Sequence, residues 1–174
     1  MTTIGSTRTE GDAHSALFEL AGVDLSACLA GKAEIARVNP HRHEFALLDE
    51  VIWIEADKSC ALGRHRVGHD AFWVRGHFPG KPLMPGVLQI EAGAQLACYL
   101  WNVQQPEPRV AAFLRIEDAA FRRSVVPGDD LLLLCKSVKL SRRRFVSDIQ
   151  GIVAGQVAFG ARISGMALDP SQAE

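Results

Sequence analysis

The chain has 174 residues, 48% of them hydrophobic and 22% charged, with a formal net charge of −1. This length is typical of one domain with a sizeable core, and the near-neutral charge excludes a general attraction to nucleic acid or anionic membranes. No apolar run approaches the roughly 18 residues that a membrane-spanning helix needs, and the first residues lack the pattern of a secretory signal. We therefore expect a cytoplasmic protein with neither nucleic-acid nor membrane partners.

The N-terminal part predicts a loose end followed by short helices. Residues 1–12 are rich in Thr, Gly and Ser, as chain ends often are. Residues 15–36, SALFELAGVDLSACLAGKAEIA, have helix-like apolar spacing interrupted by Gly22 and Gly31, which predicts one or two short helices. The segment NPHRHEF at 39–45 follows as a turn, because Asn-Pro favours turn initiation.

Two strands, one long helix and a run of further strands follow. ALLDEVIWIEA, ending near Asp57, and CALGRHRV at 60–67 read as paired strands, and the Pro- and Gly-rich residues 68–86 read as a loop. A helix is predicted from about Pro85 to Asn102. The later strands are predicted at residues 110–117, 119–123, 130–140, 145–153 and 156–165.

This order predicts an α+β fold with one curved sheet wrapped around one helix. The long helix is apolar on most of its sides, which is typical of a helix buried on most faces. Strands that mostly neighbour one another in sequence favour antiparallel pairing. An antiparallel sheet around one central helix is the economical arrangement of these parts.

The stretch HFPGKPLMPGVLQIEAGAQ, residues 77–95, carries the candidate chemistry. Glu91 is a carboxyl group on an apolar helix, with Gln95 four residues further on the same face. His77 precedes a loop stiffened by prolines, and a histidine is the commonest general base. Gly86 and Val87 bring free backbone N–H groups to the helix start. Base, acid and N–H donors together suit removal of a proton next to a thioester carbonyl.

Each of these features also has a simpler explanation by itself. An isolated histidine is more often structural, and Glu91 could lie on a narrow solvent-exposed strip of the helix or pair with an arginine. The combination favours the catalytic interpretation.

The same stretch resembles the signature of the 3-hydroxyacyl-[acyl-carrier-protein] dehydratases, the FabZ/FabA family of hotdog proteins. PHRHEFALLDEV at 40–51 and FLRIEDAAFRRSVVPGDDLLLL at 113–134 resemble two further segments of that family. The similarity spans roughly residues 35–165. Glutamate at the acid position is similar to the FabZ branch, so we do not expect the isomerase activity of the FabA branch. His43 stands where FabZ proteins commonly have a tyrosine near the tunnel entrance.

The resemblance implies a hotdog fold and a site shared between subunits. His77 matches the catalytic histidine, Glu91 the catalytic acid from the other subunit, and Gly86 the glycine whose N–H faces the thioester carbonyl. We add Phe78, Val87 and Gln95 as substrate-binding candidates. The expected assembly is a homodimer or a trimer of dimers.

The resemblance also implies a substrate and a division of the chain. The substrate is carried on an acyl carrier protein in fatty acid biosynthesis, with no cofactor. We expect a hotdog domain at 35–168, a partly helical extension at 1–34 and a tail at 169–174.

Other functions remain open at this point. A hotdog acyl thioesterase, a non-catalytic acyl-binding hotdog protein and a dehydratase of a specialised pathway all fit the fold. The histidines and the four separated cysteines lack metal-ligand spacing, so no metal site is expected. The basic segments FRR at 121–123 and SRRRF at 141–145 are either solvated turns or docking sites for an acidic carrier protein.

Overall fold

The computed structural model describes residues 15–168. In chain order its elements are α1 (Lys32–Val38), a 3₁₀ helix (His43–Phe45), β1 (Glu50–Ile54), β2 (Cys60–Arg66), α2 (Gly86–Asn102), β3 (Ala111–Phe121), β4 (Asp130–Leu140), β5 (Arg144–Val153) and β6 (Gln156–Ala167). Within these residues no helix is both long and apolar enough to cross a membrane.

The six strands form one sheet that curves around α2. Their order is β1-β2-β4-β5-β6-β3, and every neighbouring pair is antiparallel. Helix α2 packs against β2, β4, β5 and β6. This arrangement confirms the predicted α+β architecture of an antiparallel sheet around one long helix.

Helix α2 begins and ends where the sequence predicts. Pro85 is its N-cap residue. Proline is tolerated at the start of a helix because an N–H there would have no intrahelical acceptor. From Ala92 to Asn102 every residue is buried, and Leu96 and Trp101 are fully so. Each large apolar side chain buried in this way contributes roughly 1.5–3 kcal/mol to folding. The Asn102 amide then donates to the carbonyl oxygens of Val38 and Arg109, which fixes the exit of the chain.

A single strand, β3, takes the place of the two strands predicted at 110–117 and 119–123. The predicted division into two strands was therefore wrong. The pairing of β3 with β6 shifts register between Glu117 and Ala120, and Asp118 has a φ of 52°. An extra residue can be accommodated as a bulge while pairing continues on both sides. The sequence break therefore marks an irregularity inside one strand.

The helix predicted within residues 15–36 forms only from Lys32, so the prediction was wrong for residues 15–31. Apolar residues of that segment instead pack on the outer face of the sheet, where Phe18 lies 5.8 Å from Trp53 between ring centroids. The side-chain amide of Gln150 donates to the carbonyl oxygen of Ser15 and accepts from the N–H of Leu17. The loose end predicted at residues 1–12 lies outside the described residues.

Strand β3 is an edge of the sheet and carries exposed apolar side chains. It pairs with β6 on one side only. Its exposed large apolar residues are Phe113, Leu114, Ile116 and Phe121. An exposed apolar edge strand is a surface on which a second chain can pair.

Candidate active site

The loop between β2 and α2 holds His77 through its backbone and its ring. The N–H of His77 donates to the Trp73 carbonyl at 2.8 Å, and the N–H of Leu83 donates to the His77 carbonyl at 2.7 Å. Nδ1 of the His77 ring lies 2.8 Å from the Leu83 carbonyl oxygen. A carbonyl oxygen only accepts, so Nδ1 carries the hydrogen. In the neutral His77 ring, Nε2 then has the lone pair that can accept a proton.

The His77 ring faces a cavity beside the start of α2. Its lining includes Gly86, Val87 and Phe121. The N–H groups of Leu88 and Gln89 donate to the Pro85 carbonyl oxygen. Those of Gly86 and Val87 have no intrahelical acceptor, so they are available to an oxygen that gains negative charge. Gly86 permits a close approach here, because a Cβ atom on it would lie 2.6 Å from the Phe121 ring. Phe78 stacks on His77 with 4.1 Å between ring centroids.

Glu91 faces a different cavity, on another side of α2. Ala94 and Cys98, three and seven residues further along the helix, line this cavity with it. The Glu91 side chain is 20% exposed, and the amide of Gln95 donates to its Oε1 at 2.9 Å. Burial raises the pKa of the Cys98 thiol to about 12, with a smaller contribution from Glu91, so the thiol is un-ionised at neutral pH.

Within one chain the structure therefore divides the predicted site residues into two groups. His77, Gly86 and Val87 line one cavity, with Phe78 stacked on His77. Glu91 lines the other, with Gln95 bonded to it. The two cavities share no lining residue.

Gln95 has structural contacts besides its bond to Glu91. It is 2% exposed. Its Oε1 accepts from the N–H groups of Leu47 and Leu48, and its Nε2 lies 2.7 Å from the Phe45 carbonyl oxygen. The side chain thus joins α2 to the segment before β1.

Sequence reasoning missed His41 as a neighbour of Glu91. Nε2 of His41 lies 3.3 Å from Oε1 of Glu91. From the sequence, His41 was one of several histidines weighed only as possible metal ligands. Among residues 15–168, no group of three or more His, Cys, Asp or Glu side chains is arranged to hold a metal ion. The available signal was the segment PHRHEF, which places a histidine just before a buried strand.

Comparison with known proteins assigns the family. Residues 39–162 match the family model described as the FabA-like domain. The chain is 38% identical over 152 residues to the 3-hydroxyacyl-[acyl-carrier-protein] dehydratase FabZ of Brucella abortus (strain S19), covering 84% of this chain and 92% of the relative. It is 40% identical over 134 residues to the FabZ dehydratase of Clostridium novyi (strain NT), covering 76% and 94%.

Solved structures show the same fold at low sequence identity. The dehydratase heterocomplex ApeI:P from Xenorhabdus doucetiae matches with a TM-score of 0.67 and 15% identity, covering 79% of this chain and 92% of that one. An uncharacterised protein from Pyrococcus horikoshii matches with a TM-score of 0.55 and 16% identity, covering 71% and 85%. The family match over residues 39–162, the near-complete coverage of the FabZ relatives and the helix-wrapping sheet agree, and the chain belongs to the FabA-like dehydratase family.

Proposed function

We propose that the protein is a 3-hydroxyacyl-[acyl-carrier-protein] dehydratase that forms trans-2-enoyl thioesters in fatty acid biosynthesis, acting in the cytoplasm. The observation that carries the proposal is the geometry of His77, whose Nδ1 is engaged by the Leu83 carbonyl while its ring faces the first turn of α2. A base and a group of N–H donors at one cavity suit proton removal next to a carbonyl. FabZ relatives that align with most of the chain support the same reaction.

The proposed mechanism is a proton abstraction followed by loss of water. Nε2 of His77 removes the C2 proton, and the N–H groups of Gly86 and Val87 stabilise the charge that develops on the thioester oxygen. Glu91 donates a proton to the C3 hydroxyl, so the C3–O bond breaks, water leaves and the C2–C3 double bond forms. His77 is then protonated and Glu91 ionised, and proton exchange resets both groups.

We propose that two chains form each site. His77 and Glu91 line separate cavities of one chain, so one chain alone offers only half of the required groups at each. The exposed apolar edge β3 gives a surface for pairing two chains in a homodimer or a trimer of dimers. In this proposal residues 35–168 form the catalytic domain, 1–34 an extension and 169–174 a tail.

Arginines beside the His77 cavity support a carrier protein as the partner. Arg122 and Arg123 line the cavity together with His77, and Arg122 is exposed. An acidic partner with a phosphate-linked acyl chain would be attracted to these guanidinium groups.

The test is turnover by two variants. We expect His77→Ala and Glu91→Gln each to lower dehydration of a 3-hydroxyacyl carrier-protein thioester by roughly 10²–10⁴-fold, the range of one acid–base group. Absorbance of the enoyl thioester measures the rate. His69→Ala, at an exposed histidine outside both cavities, is the matched control and should keep wild-type turnover.

Two outcomes would contradict the proposal. Release of free thiol without an enoyl product would identify a thioesterase. Tight binding of the acyl thioester with no turnover by the wild-type protein would identify a non-catalytic acyl-binding protein.

A further inference from the structure

Both polar neighbours of the Glu91 carboxylate approach the same oxygen atom. The Gln95 amide lies 2.9 Å from Oε1, and Nε2 of His41 lies 3.3 Å from that same Oε1. Within residues 15–168 the structure gives Oε2 no polar contact. The two oxygens of this carboxyl group are therefore in different environments, one held and one free.

The surroundings of His41 favour a neutral ring with its hydrogen on Nε2. Burial lowers the pKa of His41, with Arg42 acting in the same direction, and the nearby Glu91 only partly offsets this. Nδ1 of His41 is buried and has no hydrogen-bond partner among residues 15–168. A buried N–H without an acceptor is rarer and less favourable than a bare lone pair. The hydrogen therefore lies on Nε2, the atom next to Glu91.

The segment that carries His41 is fastened to α2 and to α1. Nδ2 of Asn39 donates to the Gln95 carbonyl oxygen at 2.8 Å, within α2. The Arg42 guanidinium donates to the carbonyl oxygens of Asn39, His41 and Ala36, each at 2.8 Å. The His41 backbone is thus fixed on both sides, and its ring has a defined place beside Glu91.

We propose that His41 is a positioning residue for Glu91. Its Nε2–H and the Gln95 amide hold Oε1, so the proton that Glu91 donates is carried on Oε2. Once that proton has left, the same two N–H groups stabilise the carboxylate. The contact is 3.3 Å without substrate, and we expect it to tighten when substrate binds, as catalytic hydrogen bonds often do. The kinetic consequence rests on the dehydratase function proposed above, whereas the hydrogen bond itself does not.

Two substitutions at His41 distinguish the effect of its N–H donor from the effect of the volume of its ring. His41→Leu fills similar space without a donor, and His41→Gln supplies an amide N–H near the position of Nε2. We expect His41→Leu to lower kcat roughly 10- to 100-fold, the equivalent of one charge-assisted hydrogen bond, with KM changed by less than about twofold. His41→Gln should recover most of that loss. His69→Leu, on the loop after β2, is the matched control with unchanged kcat.

Thermal unfolding of each variant completes the kinetic experiment. Equal losses in His41→Leu and His41→Gln at unchanged Tm would overturn the proposal, as would wild-type kcat in His41→Leu. A loss confined to KM would also overturn it, because it would place His41 in substrate binding.

An NMR measurement tests the hydrogen bond without any turnover. In protein labelled with ¹⁵N-histidine, we expect His41 at neutral pH to be the neutral tautomer with hydrogen on Nε2, and Glu91→Leu to shift its Nε2 resonance. An imidazolium, a hydrogen on Nδ1 or an unshifted resonance would overturn the proposal. If the wild-type protein does not dehydrate its substrate while the tautomer is as expected, the dehydratase function fails and the contact stands.

Discussion

Asp49, the residue immediately before β1, links its own segment to α1 and to β2. Its carboxylate lies 3.1 Å from Nδ1 of His65 and 2.7 Å from Nζ of Lys32, and it accepts from the backbone N–H of Arg66 at 2.6 Å. Only 10% of the side chain is exposed. A buried carboxylate with several donors stabilises a fold only while it remains ionised.

Asp49 should contribute to the acid sensitivity of the protein. Burial acts to raise the pKa of Asp49, but hydrogen bonds from His65, Lys32 and Arg66 outweigh it, so the net pKa lies below the ordinary 3.8. Because the folded pKa is lowered, the stabilisation is fully present above about pH 4–5 and is lost as pH falls through the ordinary value towards the folded one. We expect Asp49→Asn to lower the free energy of unfolding at pH 7 by about 1–3 kcal/mol.

Urea denaturation at pH 7 and pH 3 measures this effect. The difference between wild type and Asp49→Asn should shrink at pH 3. Asp70→Asn, at an exposed position of the loop after β2, is the matched control. An equal difference at both values of pH would show that Asp49 does not act through its charge.

Site residues that lie close together in the sequence could be predicted, whereas a contact between distant segments could not. His77, Gly86 and Glu91 lie in one short stretch with unusual composition, so a sequence motif points to all three. The contact between His41 and Glu91 joins two distant segments, and it forms because Asn39 and Gln95 fasten those segments together. The local pattern PHRHEF indicates a histidine just before a buried strand, but it does not specify which residue of α2 that histidine contacts.

At the scale of elements, turn residues predicted most boundaries well. Proline and glycine mark the start of α2, and β4 spans the predicted residues 130–140. The two errors arose where apolar residues serve tertiary packing. Residues 15–31 lie on the sheet instead of forming a helix, and β3 continues through a bulge. The spacing of apolar residues cannot distinguish these outcomes unless the surface against which those residues pack is known.

The segment before α1 should contribute measurably to stability. Phe18 packs against Trp53 with rings tilted by 40°. Because Phe18 is partly buried, we expect Phe18→Ala to lower the free energy of unfolding by about 1–2 kcal/mol while leaving kcat unchanged. Chemical denaturation measures the change, and Glu19→Ala, at the exposed neighbour, is its control. An unchanged midpoint would mean that this segment adds nothing to stability.

At the scale of the whole molecule, the division of His77 and Glu91 between two cavities has the largest consequence. The sequence placed both residues near one helix, and only the fold shows that they face different cavities. The family resemblance supplied the idea of a site shared between subunits, which remains a prediction.

Mixing two inactive variants tests the shared site. Subunits of His77→Ala and Glu91→Gln are unfolded together and refolded as a mixture. In a mixed dimer one site has both substitutions and the other has neither, so activity returns to about a quarter of wild type for random pairing. Each variant refolded by itself should stay inactive. If the mixture is as inactive as its components, His77 and Glu91 act within one subunit.

The close approach of Phe121 to Gly86 links two properties of the protein that could otherwise evolve independently. The ring belongs to the edge strand β3, and the glycine supplies an N–H donor at the start of α2. In the proposed dimer, a substitution selected because it alters association along β3 would shift the ring and, with it, the donors. Quaternary structure and turnover would then evolve as one trait, and we expect the two positions to change together over evolutionary time.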